Sequence, residues 1–484
     1  MPTIAHIEGF TTGASLRTQQ AIYMTIVFLL PLLATAPQVR PSLASHPRRW
    51  VVLLLLLDFV YMLWLTIPFV PLGVDESFYA INAHVYGGNR DLWHCWSRPP
   101  LASLGALLCP WHPPLLGLLL RSLTAWFAWR LAELAVSAPW ALAVPLLVLV
   151  GSQLSLFSAA LMSEPYGAAC FTVFALVTAR GIGGGLAPGL LAGLAFLSRW
   201  PLGWLLPVAM FVGYRRQRLR GLAVALAAFA LPVAAVIAAT ETKPWLMVAD
   251  RGEWKKPVLT TLLYFLRPDV AFGVGWSHLL LMLVGAFPAR EAAIRWSVFM
   301  FVACAAALTA MGEATMRLMT PAAPVAAVVA ARGMQRLAEW SQRRRALPAL
   351  VGGLLVGLVA VSVVFPVRPL RNHMIARESA QNLVREHREE LLRQLGTDPL
   401  YTDFNFIAIT AVLNHRCIAV TATQDGEAVQ DGRSGHPGGV GLDLDGHSPP
   451  CSRDQLPRGA FHLTGDPAGH TILWQAPGVF LVRR

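Results

Sequence analysis

Apolar residues occur along this chain in repeated blocks separated by short gaps that carry arginine. A block of about 20 apolar residues is long enough to cross a bilayer as a helix. The pattern predicts spans near residues 21–37, 50–72, 114–133, 137–153, 158–179, 185–198, 200–213, 219–240, 273–287, 295–311, 317–332 and 347–366. We therefore predict an all-α polytopic membrane protein with about 11–12 transmembrane helices.

Composition and charge support a multi-pass protein of the cytoplasmic (inner) membrane. The 484 residues are 55% hydrophobic and 14% charged, with a formal net charge of +12. The arginines gather in gaps such as 215–220 and 336–345, which the positive-inside rule explains without a nucleic-acid partner. If these gaps are cytoplasmic, the gaps 73–113, 241–272 and 312–316 and everything after residue 367 lie outside. The stretch 185–213 must then turn at Arg199.

The first 49 residues hold one additional hydrophobic segment. The sequence "LLATA" within it offers small residues for cleavage, as in a signal peptide. Removal would invert every later loop against the arginine bias. We interpret the segment as a span with its N-terminus outside, or as the product of an early start codon.

Residues 371–484 differ in composition from the membrane domain predicted at 50–370. Thirteen of the 27 acidic residues lie in this C-terminal part. The stretch "ARESAQNLVREHREELLRQLG" has helical spacing and a terminal Gly396, and "LYTDF", "CIAVTA", "AFHLT" and "TILWQAP" are typical of short strands. These features predict a small extracytoplasmic α/β domain.

The cysteines offer a separate indication of sidedness. Cys95 and Cys109 share the first predicted outer loop, and Cys417 and Cys451 share the C-terminal part. Even numbers of cysteines in compartments predicted to be oxidising favour disulfides. We predict the bridges 95–109 and 417–451.

The predicted outer loop 73–113 opens with two adjacent carboxylates, Asp75 and Glu76. Carboxylates that end a span often only face water, but a loop of about forty residues is long for a connection without a function. His84 and Arg98 add polar groups, and tryptophans such as Trp96 offer flat faces that suit a sugar ring or an interfacial belt.

Two further polar residues lie where a predicted span begins. "HPPL", beginning at His112, runs into a span, and proline is tolerated in the first turn of a helix. Glu164 in "SEP" begins a later span on the predicted outer side. An ionised side chain within the hydrocarbon costs about 3 kcal/mol or more, so such residues usually face a cavity or a partner. Glu164 can equally reach the membrane interface.

All three lysines of the chain, Lys243, Lys255 and Lys256, lie in one predicted outer loop. Compact ammonium groups at the lipid surface suit a phosphate ligand, or bulk anionic headgroups. Arg199 and Arg317 are two further cations predicted on the same side. We assign these five residues to phosphate binding.

These motifs, in this order, resemble the GT-C polyprenyl-phosphate-sugar glycosyltransferases. The nearest groups are the protein O-mannosyltransferases and the lipid A aminoarabinose transferases. The resemblance covers roughly residues 50–335 and rests on the Asp-Glu pair, "HPPL", "SEP", the span pair "GLLAGLAFLSRWPLGWLLP" and an arginine before a proline-containing span. "SEP" lacks the second acid of many relatives, and the C-terminal part is unlike a β-trefoil.

The resemblance implies transfer of a sugar from a polyprenyl-phosphate carrier to a glycan, lipid or protein acceptor, with inversion at the anomeric carbon. It implies Asp75 as general base, Glu76 as its orienting neighbour and Glu164 as the second acid, with His112 in the substrate site. Preorganised cations would stabilise the departing phosphate. No cofactor is required, although some members of the wider fold use a divalent metal.

Two other functions fit part of the pattern. A flippase or transporter of an anionic lipid would place its charged residues within the membrane, whereas here they cluster in loops and at span ends. A lipid-linked glycan polymerase or ligase would share the long outer loops, but its dense polar loop would come late in the chain.

Overall fold

The computed structural model describes residues 45–92, 94–150, 152–244, 256–267, 276–312, 316–342, 367–421, 451–452 and 456–483. The predicted spans at 21–37 and 347–366 lie outside these residues, as do Lys255 and the beginning of the predicted span at 273–287.

The part of the chain before residue 343 is helical where it is described. Its helices are α1 (Pro47–Leu65), α2 (Val74–Tyr86), α3 (Pro100–Leu108), α4 (Leu115–Ala132), α5 (Ala138–Ala141), α6 (Ala143–Val150), α7 (Ser152–Ala159), α8 (Glu164–Arg180), α9 (Leu186–Ser198), α10 (Leu205–Thr240), α11 (Val258–Phe265), α12 (Trp276–Ala286), α13 (Ala292–Ala310) and α14 (Ala323–Gln342). Two 3₁₀ helices cover Trp200–Trp204 and Met316–Ala322. By length and composition, three described stretches can cross a membrane: Leu115–Ala132, Trp200–Thr240 and Ala292–Ala310.

Helix α10 is two helical segments joined at a reversal. Gln217 and Arg218 have non-helical backbone angles, and Arg218 has a φ of 54°. A β-carbon added to Gly213 would lie 2.4 Å from the Gly221 carbonyl oxygen, so residues eight apart are in backbone contact. The two segments therefore fold back on each other around the arginine-rich gap, between the stretches predicted as spans at 200–213 and 219–240.

Three predicted spans have different boundaries in the structure. Helix α1 ends at Leu65 rather than at residue 72, because Pro68 and Pro71 follow within two turns. The predicted span 137–153 is divided into α5, α6 and the start of α7. The span predicted from residue 158 begins at Glu164, since the chain leaves the helix after Ala159.

Small residues set the spacing between α9 and α10. Gly185, the residue before α9, and Gly189 and Gly193 within it are spaced four residues apart. A β-carbon on Gly189 would lie 2.3 Å from the carbonyl oxygen of Ala225 in α10. The two backbones approach as closely as in the small-residue interfaces of membrane helices.

Substitution of Gly189 by alanine is expected to lower the thermal midpoint of the purified protein. Overpacking of this kind costs about 1–3 kcal/mol. Gly117→Ala is the matched control, because a β-carbon there lies 3.7 Å from its nearest neighbour, the Ser158 carbonyl oxygen. Alanine favours helix over glycine by about 1 kcal/mol, so the control should keep or raise the midpoint. Equal midpoints for the two variants would contradict the close contact.

The C-terminal part has helices α15 (Val367–Glu378), α16 (Ala380–Glu386), α17 (Arg388–Leu395) and α18 (Phe406–Leu413). Its strands are β1 (Leu400–Thr402), β2 (Cys417–Thr421), β3 (Cys451–Ser452), β4 (Phe461–Thr464), β5 (Thr471–Ala476) and β6 (Val479–Arg483), in the order β3-β2-β1-β4-β6-β5. Strand β1 pairs in parallel with β2 and β4, and β6 is antiparallel to β4 and β5. The four predicted strands are present, and Gly396 ends α17 with a φ of 59°.

The C-terminal domain packs on the predicted outer loop. Ile407 and Ala411 of α18 share a buried apolar cluster with Phe78 and Ile81 of α2. Asn89, just after α2, donates to the Asn414 side-chain oxygen at 2.7 Å. The helix that carries the Asp-Glu pair therefore lies between the membrane bundle and the C-terminal domain.

Candidate active site

Asp75 lies in the first turn of α2 and contacts two arginines. Its Oδ1 is 2.6 Å from Nη2 of Arg98, and its Oδ2 accepts a hydrogen bond from Nη1 of Arg317. Burial alone would raise the pKa of Asp75, but the two guanidinium groups outweigh it and lower the pKa to about 2. Asp75 is therefore an ionised, fully paired carboxylate.

Glu76 turns away from these cations toward the backbone that precedes α2. Its Oε2 accepts from the Leu72 N–H at 2.9 Å, and the carboxylate also bonds the N–H of Gly73, the N-cap residue. A glutamate three residues after the N-cap that reaches back in this way caps the helix. Burial raises the pKa of Glu76 to about 7. Its contacts are those of a capping residue.

Glu164 is the first residue of α8 and is 1% exposed. Its Oε1 is ion-paired with Nη1 of Arg199 and lies 3.9 Å from Nε of Arg317. Arg199 is extended between α9 and the following 3₁₀ helix, which directs its side chain to α8. Arg317 thus lies between both acids, and the buried Glu164 Oε2 has no hydrogen-bond partner among the described residues.

A tyrosine that the sequence reasoning missed connects the two acid-bearing helices. Tyr79 lies one turn after Asp75 on α2, is 3% exposed, and its hydroxyl is hydrogen-bonded to Ser163, the residue before Glu164. Burial raises the pKa of Tyr79. The spacing of four residues from Asp75 places both on one face of α2, which was the available signal.

The loop that carries Arg98 is fixed from three sides. Asn82 of α2 donates to the Cys95 carbonyl at 3.1 Å, and its oxygen accepts from the Cys95 N–H at 2.9 Å. Trp200 Nε1 donates to the Ser97 carbonyl at 2.7 Å. The Lys243 N–H donates to the Trp96 carbonyl at 2.8 Å. These bonds hold Arg98 beside Asp75.

The fold was compared with known proteins. No family model and no curated protein matched the sequence. Among solved structures, ArnT of Cupriavidus metallidurans bound to undecaprenyl phosphate matches with a TM-score of 0.63 at 14% identity, over 91% of this chain and 98% of that chain. Its apo state gives a TM-score of 0.60 at 15% identity, over the same shares of both chains. The chain has the fold of ArnT.

A third solved structure is more distant. It is AglB, the oligosaccharyltransferase of Archaeoglobus fulgidus, in complex with an inhibitory peptide and a dolichol-phosphate. It matches with a TM-score of 0.45 at 13% identity, over 77% of this chain and 65% of that chain. The two ArnT structures, and not this one, confirm the predicted resemblance as a likeness of fold.

Within this fold, three predicted substrate residues have structural contacts. His84 Nε2 is 2.9 Å from the Ala411 carbonyl oxygen in the C-terminal domain. His112 is buried, with Nε2 2.9 Å from the Thr66 hydroxyl at the end of α1. The ring of Trp96 contacts Lys243, whose Nζ is 4.4 Å from the ring centroid, and the ring of His94. These side chains hold structural elements together. They do not line the acid–arginine cluster, which consists of Asp75, Glu164, Arg98, Arg199 and Arg317.

The predicted pocket containing the lysines is not formed among the described residues. Lys243 lies over Trp96, and the exposed Lys256 uses its backbone N–H to bond the Gly312 carbonyl at 3.3 Å. Lys255 lies outside the described residues. The cations that contact Asp75 and Glu164 are arginines.

Neither predicted disulfide is formed in this structure. Cys95 and Cys109 are free thiols, because Asn82 fixes Cys95 against α2 whereas Cys109 ends α3. Cys417 is also free. It is opposite Leu400 in the sheet, while Cys451 is opposite Val420, three residues further along β2.

Proposed function

We propose that the protein is an integral-membrane glycosyltransferase. It moves a sugar from a polyprenyl-phosphate carrier to an acceptor on the extracytoplasmic side, with inversion at the anomeric carbon. The observation that carries the proposal is a cluster of two carboxylates and three arginines in a fold that, in ArnT, binds undecaprenyl phosphate.

The proposed reaction is a single displacement. The acceptor oxygen attacks the anomeric carbon and forms the new glycosidic bond as the carbon–oxygen bond to the phosphate breaks. Asp75 takes the acceptor proton as general base, and the electron pair of the broken bond stays on the phosphate oxygen. The leaving group gains one negative charge, which Arg317 and Arg199 are placed to stabilise.

The other predicted residues have supporting roles in this proposal. Glu164 holds Arg199 and lies near Arg317, so it positions the cations that face the phosphate. Glu76 caps α2 and thereby fixes the turn that carries Asp75. Arg98 orients the Asp75 carboxylate, and Tyr79 connects α2 to the start of α8.

We propose that the reaction runs without a metal. In the described part of the chain, no three His, Cys, Asp or Glu side chains converge to hold an ion. Both oxygens of Asp75 face guanidinium groups, and Oε1 of Glu164 faces Arg199. A divalent cation needs several oxygen ligands that are free of competing cations, so this donor set does not fit one.

Transfer in detergent micelles tests the proposed function. Purified protein should convert a polyprenyl-phosphate sugar and an acceptor into glycosylated acceptor and free polyprenyl phosphate, detected by mass analysis. Glycolipids that accumulate in a deletion strain would identify the sugar and the acceptor to supply. A flippase would move lipid between the leaflets of vesicles and form no product in micelles. That outcome would overturn the proposal.

A further inference from the structure

Arg317 is shared between two acids, and it is the most accessible cation of the cluster. Its Nη1 bonds Asp75, and its Nε lies 3.9 Å from Glu164 Oε1. We propose that Arg317 is an exchangeable counter-ion: the phosphate of the bound donor draws it away from Asp75, and only then can Asp75 accept the proton of the acceptor. This inference rests on the proposed function.

The three arginines differ in how firmly they are held. The Arg317 side chain is 30% exposed, against 20% for Arg98 and 7% for Arg199. The Arg98 guanidinium also lies over the Phe78 ring, 5.0 Å from its centroid, on a loop fixed by Asn82. Arg317 is therefore the cation that an entering anion reaches at the lowest structural cost.

Arg317 can leave Asp75 and still keep one carboxylate as a partner. The Glu164 carboxylate is already within 3.9 Å of its Nε, so a short movement keeps that partner while Nη1 turns to a phosphate oxygen. Arginine binds phosphate through paired N–H groups. The phosphate of the sugar donor is therefore a strong competing partner for Arg317.

The charge of the cluster favours an anion. Three guanidinium groups face two carboxylates, which leaves one positive charge among these five groups. A phosphodiester brings one negative charge and makes the set neutral. Asp75 then keeps Arg98 as its direct cation, and loss of one close opposite charge raises a carboxyl pKa by about 1–3 units.

The ionisation of other groups near Asp75 must be distinguished from the ionisation of Asp75 in the pH profiles. The charged or titratable side chains around it are Arg98, Arg199, Arg317, Glu76, Tyr79 and Cys95, with Glu164 beyond Arg317. Glu76, whose pKa is about 7, titrates within the range of an activity assay. The pH profiles are therefore measured in parallel in a Glu76→Gln background, which removes that ionisation.

The test is the pH dependence of transfer in micelles. The acid limb of kcat/KM for the donor reports the free enzyme, and the acid limb of kcat reports the complex. In the wild type, we expect the acid limb of kcat to lie at a pH about one unit or more above the acid limb of kcat/KM. In Arg317→Gln the free enzyme already lacks the counter-ion, so the two limbs should lie closer together than in the wild type, and KM for the donor should rise.

Arg90→Gln is the matched control, since Arg90 is exposed in the same loop and is 3.5 Å from Glu241. In this variant, the acid limbs of kcat and kcat/KM should differ in pH by as much as they do in the wild type. Coinciding limbs in the wild type would overturn the exchange while leaving transfer itself intact, and this comparison requires no variant. Absence of transfer in the wild type would instead overturn the proposed function.

Discussion

Replacement of Asp75 by asparagine is expected to lower kcat for sugar transfer by about 10²–10⁴-fold, the usual contribution of a general base. The amide cannot take a proton from the acceptor. Because the Asp75 side chain is 23% exposed, its loss should leave the protein folded. Initial rates with purified protein, together with the thermal midpoint, measure both effects.

Asp91→Asn is the matched control for this prediction. Asp91 lies in the same loop, is exposed, and forms none of the ion pairs found in the described residues. The control should transfer sugar at the wild-type rate. A wild-type rate for Asp75→Asn would instead remove Asp75 from the reaction.

Glu76→Gln separates the two adjacent acids. The glutamine oxygen can still accept from the Leu72 N–H, so the helix cap survives and the rate should remain close to that of the wild type. Glu76 has a pKa of about 7, which would suit a base. An inactive Glu76→Gln beside an active Asp75→Asn would move the base role to Glu76.

Local sequence signals predicted several of the positions where helices begin and end. Pro114 precedes α4, Arg199 follows α9, and Gly396 ends α17. Each boundary depends on residues within one or two turns, so it can be recognised without tertiary information. The broken span at 137–153 was missed because its overall apolarity outweighed Pro139 and Pro145.

The partners of the candidate site could not be predicted from the sequence. Asp75 and Arg317 are 242 positions apart, and only the packing of the bundle brings them together. Charge and predicted side selected Arg199 and Arg317, which contact the two acids, but the same reasoning selected the lysines because they cluster in one loop. Clustering along the chain did not predict convergence in space, since Lys243 lies on Trp96 instead.

Glu164→Ala is expected to destabilise the protein by about 3–5 kcal/mol, because it leaves Arg199 as an unpaired buried charge. The thermal midpoint of the purified protein should fall clearly. Glu241→Ala is the control: its partner Arg90 is exposed, and exposed ion pairs contribute about 0–1 kcal/mol. Equal midpoints for both variants would mean that the pair of Glu164 and Arg199 does not support the fold.

The double variant Glu164→Leu/Arg199→Met separates stability from function. Replacement of both partners of a buried ion pair by apolar residues of similar size is often neutral or stabilising, so the midpoint should recover. Sugar transfer should remain low, because Arg317 has lost the carboxylate 3.9 Å from its Nε and the phosphate has lost Arg199. Recovery of both stability and transfer would reduce the pair to a packing element and leave Asp75, Arg98 and Arg317 as the whole charged site.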